Sequence, residues 1–136
     1  MKISAKLIIL LFTIFMYNNS KAQLDTLNYV KQFEINKANY IGKPFSKLLT
    51  DMAKIQPKTV WFVPQTNKKT KVKESLFNFC DMDFSFHNAI TLYIEWQYDI
   101  PYTDVKYYHN KNNFYFTNDE KTFYGNKIVK NIMVFR

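Results

Sequence analysis

The chain has 136 residues, with 19 basic and 11 acidic side chains, a net charge of +8, one cysteine and two histidines. A single cysteine excludes an internal disulfide, and a chain of this length buries enough surface to be held by an apolar core alone. Its two glycines, Gly42 and Gly125, exclude a glycine-rich phosphate loop and a nucleophile elbow.

In chain order, Lys2 and Lys6 precede an apolar run from Leu7 to Tyr17 that only Thr13 interrupts, and Ser20-Lys21-Ala22 follows as a small-x-small cleavage pattern. These are the parts of a cleavable signal peptide. Residues 1–22 are expected to be removed, leaving Gln23 as the N-terminus and 23–136 as a single domain. The apolar run is well short of the roughly 20 residues of a spanning helix, and Cys80 lies too far downstream for lipid attachment. The expected product is secreted or periplasmic, without a stable membrane anchor. Loss of Lys2, Lys6 and Lys21 leaves 16 basic residues against 11 acidic, a mild net +5.

A first helix is predicted from Leu24 to Ala38, with Leu27, Val30 and Phe33 or Glu34 at helical spacing. Gly42 and Pro44 then punctuate the chain. A second helix, Pro44–Ile55, carries the stripe Phe45, Leu48, Leu49 and Met52. Beyond Pro57 the period changes to two. Thr59–Val63 reads as a strand and Gln65–Thr70 as a polar turn. Glu74–Phe86 reads as a second strand, with Leu76, Cys80, Met82, Phe84 and Phe86 on one face and Asp81 and Asp83 on the other. After a turn at His87-Asn88, Ala89–Tyr98 buries Ile90, Leu92, Ile94, Trp96 and Tyr98, giving a hairpin with its predecessor. Asp99–Asn112 reads as a long polar-aromatic loop, Phe114–Thr117 as a short strand, and Asn118–Glu120 and Gly125-Asn126 as turns. Lys127–Arg136, apolar on both faces, reads as a central strand. The expected fold is α+β, with two N-terminal helices packed on one face of a four- to five-stranded antiparallel sheet.

Three constellations carry possible chemistry. Lys68, Lys69, Lys71 and Lys73 form a basic patch suited to a polyanion, although their alternation equally suits a solvated or edge-protecting strand face. Asp81, Asp83, His87 and His109 lack the tight spacing of a metal site, so no metal is expected. Tyr102, Tyr107 and Tyr108 stand among polar residues in the predicted loop, where aromatic rings serve recognition of a protein or a sugar. Cys80 reads as a buried strand residue rather than a nucleophile.

The Lys21-Ala22-Gln23 junction after an asparagine-bearing leader, and the segment Tyr40-Ile41-Gly42-Lys43-Pro44-Phe45-Ser46 followed by Leu48-Leu49, resemble small exported proteins of Bacteroidota without assigned function. The order helix-helix-sheet is also similar to β-lactamase-inhibitor-like exported modules, a likeness of fold only. Neither resemblance implies catalytic residues or a cofactor. The expected function is a non-enzymatic binding module that recognises another exported protein or an envelope component such as a glycan, with no nucleic-acid role. The alternative is a small-ligand-binding or hydrolytic domain with a cavity between helices and sheet.

Overall fold

The computed structural model of the protein describes residues 26–136; the segment read as a signal peptide lies outside them. The fold is α+β, with one four-stranded antiparallel sheet in the order β1-β2-β3-β4. The strands are β1 (Thr59–Phe62), β2 (Lys71–Asn78), β3 (Thr91–Pro101) and β4 (Val129–Phe135). The helices are α1 (26–35), α2 (Phe45–Asp51), α3 (Tyr102–Asn112) and α4 (Asn118–Gly125). Among the described residues, no helix is long and apolar enough to cross a membrane.

The core gathers on one sheet face. Ser75 and Phe77 of β2, Leu92, Ile94 and Trp96 of β3, and Ile132 and Val134 of β4 are all buried. From α2, the Phe45 ring lies 4.8 Å from Phe77 and 5.4 Å from Trp96, while Tyr124 of α4 stacks on Trp96 at 5.6 Å. Trp96 Nε1 donates to Ser75 Oγ at 3.0 Å, so the indole enters the core without an orphaned donor. The α1 stripe contributes Val30 and Phe33 to the same cluster. Its Lys31 donates to the Val134 carbonyl of the edge strand β4, and Lys37, in the short 3₁₀ turn that follows, donates to Asn131 Oδ1. Lysines so placed discourage pairing with another chain.

On the opposite face, Trp61, Leu76, Tyr93 and Met133 lie in register across all four strands. Beside them Glu95 receives Lys130 at 2.8 Å and Lys73 at 3.3 Å. The Lys130 hydrogen bond, with Lys73 adding, holds its carboxyl below the usual range. Burial, reinforced by Glu74, pushes the Tyr93 phenol up to about 12.

Several expectations are corrected. The predicted second strand stops at Asn78, where Thr91 Oγ1 donates to Asn78 Oδ1 at 2.9 Å and closes the ladder. The chain then crosses to β3 through residues 79–90, containing a 3₁₀ turn at Met82–Phe84, so β2 and β3 pair without a tight hairpin. The inward face of β2 is Ser75 and Phe77, not Leu76; with apolar residues on both faces, alternation alone leaves the register open. Phe84 and Phe86 are exposed, and Cys80 is a half-buried residue of the connection rather than of a strand. β4 is an edge strand, not a central one.

The largest correction falls after β3. The predicted loop is the helix α3, and Phe114–Thr117 makes only an isolated bridge, Thr59↔Tyr115. The predicted turn at Asn118–Glu120 opens α4, where Thr117 and Glu120 form a reciprocal capping box. Four helices and four strands therefore replace the expected two helices and four to five strands among the described residues. α3 ends on Asn113 at φ 50°, followed by Phe114 at φ 64°. Asparagine tolerates this left-handed cap where a Cβ with no local hydrogen bond does not. Asn113→Ala is expected to lower stability by about 1 kcal/mol, and Asn113→Gly to leave it unchanged or raise it, as read from urea denaturation midpoints.

Candidate functional site

The site builds from the β1–β2 connection and the start of α3. Pro64 follows β1 and carries no N–H, which removes a donor from the continuing strand. The chain crosses residues 65–70 and re-enters the sheet at Lys71 and Val72, which pair with Pro101 and Ile100 at the far end of β3. Pro101 then launches α3 with its fixed φ, and the Tyr102 N–H donates to the Thr70 carbonyl at 2.9 Å. That bond ties the hairpin to the helix and leaves a cleft of about 580 Å³ between them. Phe62, Pro64, Val72 and Tyr102 supply its apolar lining, Gln65 and Thr66 line a polar side, and Lys69 and Lys71 stand at the rim.

The rim is electrostatically uneven. Lys71 Nζ lies 3.5 Å from the Asp99 carboxylate, whereas Lys69 has no ion-pair partner among the described residues. Lys68 and Lys73 line a neighbouring hollow of about 390 Å³ together with Asp99. The four lysines thus do not act as one patch. Lys71 and Lys73 are paired with acids of β3, and β2 is an interior strand, so the edge-protecting reading does not apply to them.

The helix turns Tyr102 away from the other two tyrosines, while Tyr107 and Tyr108 meet edge-on at 5.1 Å. Tyr102 turns toward the cleft and meets Phe62 edge-on at 5.3 Å. Tyr108 packs on Phe123 at 4.5 Å, and Tyr107, 59 % exposed, projects outward beside Lys111. Of the three, Tyr102 alone lines the cleft.

Behind the cleft wall lies a buried polar centre that the sequence reading placed in a loop. His109, 3 % exposed, stacks on Phe62 at 5.5 Å and meets Phe114 at 4.6 Å. Neither ring nitrogen has a hydrogen-bond partner among the described residues. Burial pushes its pKa down to about 4, against the smaller opposing pull of Glu120. Glu120, 1 % exposed, accepts hydrogen bonds from Asn112 Nδ2, the Thr117 N–H and Thr117 Oγ1. It fastens the end of α3 to the start of α4. Nearby, the Lys111 hydrogen bond lowers the pKa of Asp119.

Asp81, Asp83 and His87 are exposed on the 79–90 connection, and Asp81 faces Lys58 at 3.8 Å. No group of three or more His, Cys, Asp or Glu among the described residues is placed to hold a metal ion. Cys80 and His87 instead line a third hollow, of about 410 Å³, with Phe79, Phe84 and Arg136.

Sequence reasoning singles out Tyr102, Lys69 and Lys71 but not Phe62, Pro64 or Val72, and it names His109 without its burial on a helix. The signal for His109 is the stripe Tyr102, Val105, His109, spaced three and four apart, which marks one helix face. Comparison of the chain with protein-family models, with curated proteins and with solved structures finds no match.

Proposed function

We propose that this protein is a small exported module that binds rather than transforms its target, recognising an envelope component or another exported protein through the cleft at the start of α3. The observation that carries the reading is the lining itself: two aromatic rings, a proline and a valine beneath a lysine that has no ion-pair partner among the described residues. Such a lining offers apolar contact, a positive charge and amide and hydroxyl groups, which are the elements of recognition. The leader-like residues 1–22, and the resemblance to exported Bacteroidota proteins, support a role outside the cytoplasm. A second reading, a small-ligand domain with its cavity between helix and sheet, draws on the same cleft, because its volume falls within the roughly 300–1,000 Å³ of ligand pockets.

The test separates the three tyrosines. Tyr102→Ala is expected to cut capture of the target from an envelope extract by about tenfold or more, whereas Tyr107→Ala leaves it unchanged. Both variants are compared by circular dichroism to establish that they are folded. Equal capture by wild type and Tyr102→Ala would sink the reading.

A further inference from the structure

We infer that the cleft takes a small monoanionic amphiphile: an apolar body the size of a medium acyl chain, carrying one carboxylate head. The inference rests on the recognition reading above and names its ligand class.

The apolar half follows from the lining. Val72, 1 % exposed, forms part of a wall whose other surfaces are the Phe62 and Tyr102 rings and Pro64. Swinging Phe62 inward to close the space would forfeit its stacking on His109, which Phe114 holds in turn, and its edge contact with Tyr102. Tyr102 is pinned at its backbone by Thr70. The hollow is therefore largely pre-formed, and filling it removes apolar surface from water without much ordering of the protein.

The head group follows from counting charges. Of the two rim lysines, Lys71 already faces Asp99, so its charge is largely compensated. Lys69, with no ion-pair partner among the described residues, supplies the one uncompensated positive charge that lines the cleft; Lys68, also unpaired, lines the neighbouring hollow instead. The Tyr102 hydroxyl makes no hydrogen bond with a described residue, and with Gln65 and Thr66 it adds neutral donors. One cation with neutral donors matches a single negative charge. A dianion such as a phosphate monoester would leave charge unmet and would lie close to Asp99. A neutral amphiphile would forgo the charge-assisted bond to Lys69.

The experiment is a titration of the purified, nitrogen-15-labelled protein with decanoate, kept below its self-association concentration, followed by amide shifts. Saturable shifts are expected at Phe62, Lys69, Val72 and Tyr102. Decanamide, which has the same body and no charge, should bind about tenfold more weakly, and Lys69→Ala should weaken decanoate by about the same factor. Acetate should produce no saturable shifts, and Lys68→Ala should leave decanoate binding unchanged. Equal affinity for decanoate and decanamide would overturn the inference. So would shifts confined to the hollow around Cys80, or decanoate binding indifferent to Lys69. If target capture depends on Tyr102 while decanoate does not bind, this ligand class alone is wrong. If decanoate binds the cleft while capture ignores Tyr102, the ligand class stands and the recognition reading falls.

Discussion

Trp96→Ala is expected to lower the unfolding free energy by about 4 kcal/mol, whereas Tyr98→Ala, two residues further along the same strand, should change it by about 0.5 kcal/mol or less. Trp96 is fully buried among Phe45, Phe77 and Tyr124, and its indole N–H is spent on the buried Ser75 hydroxyl. Truncation would leave both a cavity and an unpaired hydroxyl. Alternation along β3 makes Tyr98 look like a core residue too, yet it is 71 % exposed. The reason lies in the pairing with β2. Opposite the single residue Lys73, between the pairs Val72↔Ile100 and Glu74↔Glu95, β3 places four residues, Trp96 to Asp99. The extra length bulges outward and carries Tyr98 into solvent before Ile100 returns to the core. Urea denaturation of both variants measures the contrast. Losses of equal size would show that the bulge does not exist in solution.

The second large effect is a dependence of stability on pH set by His109. Its pKa is about 4 in the fold, against about 6.5 in the unfolded chain. The neutral imidazole belongs to the folded state, so protons favour unfolding. Stability from this group is complete above pH 6.5, declines as pH falls toward 4, and levels off below that, a total of roughly 3 kcal/mol. Glu120 attracts the imidazolium and moderates the effect without reversing it, because burial is the larger cause. Carboxylates lowered by lysine partners, Glu95 and Asp119 among them, add their own losses at more acidic pH. His109→Phe keeps an aromatic ring between Phe62 and Phe114 and removes two nitrogens that have no hydrogen-bond partner among the described residues. At pH 7 it should be as stable as wild type or slightly more so, and its stability should be nearly flat from pH 7 to 5. A wild-type curve equally flat over that range, or an unchanged slope in His109→Phe, would contradict the assignment.

The helix α2 illustrates what local pattern can reach. Phe45, Leu48, Leu49 and Met52 are buried as their spacing requires. The helix nevertheless ends about a turn earlier than Pro57 alone would dictate, because the Gln56 amide turns back to the carbonyls of Leu49 and Met52. The helix α3 shows the opposite case. Most of its surface is Lys, Tyr, Asn and Asp; only Val105 and His109 are buried, with Tyr102, Tyr108 and Asn112 partly covered. A helix with so narrow an apolar stripe draws its stability from tertiary packing rather than from its own propensity. In the sequence its polar character reads as loop and the three tyrosines as one surface; the helical twist takes Tyr102 from that surface and leaves Tyr107 and Tyr108 in contact.

From sequence alone follow the α+β class, the stripes of α1 and α2, and the alternation of β3 as far as Trp96, because each depends on neighbours within a few residues. Tertiary structure decided the rest. Phe62, Val72 and Tyr102 are far apart in the chain, and they meet only because β2 pairs Val72 with Ile100 and Pro101 starts a helix there. Which of the two lysines at the cleft rim is compensated likewise depends on the strand that places Asp99 beside Lys71. Strand register and helix rotation are collective properties of the packed core, and a side chain's partners across a sheet leave no local trace in its own segment.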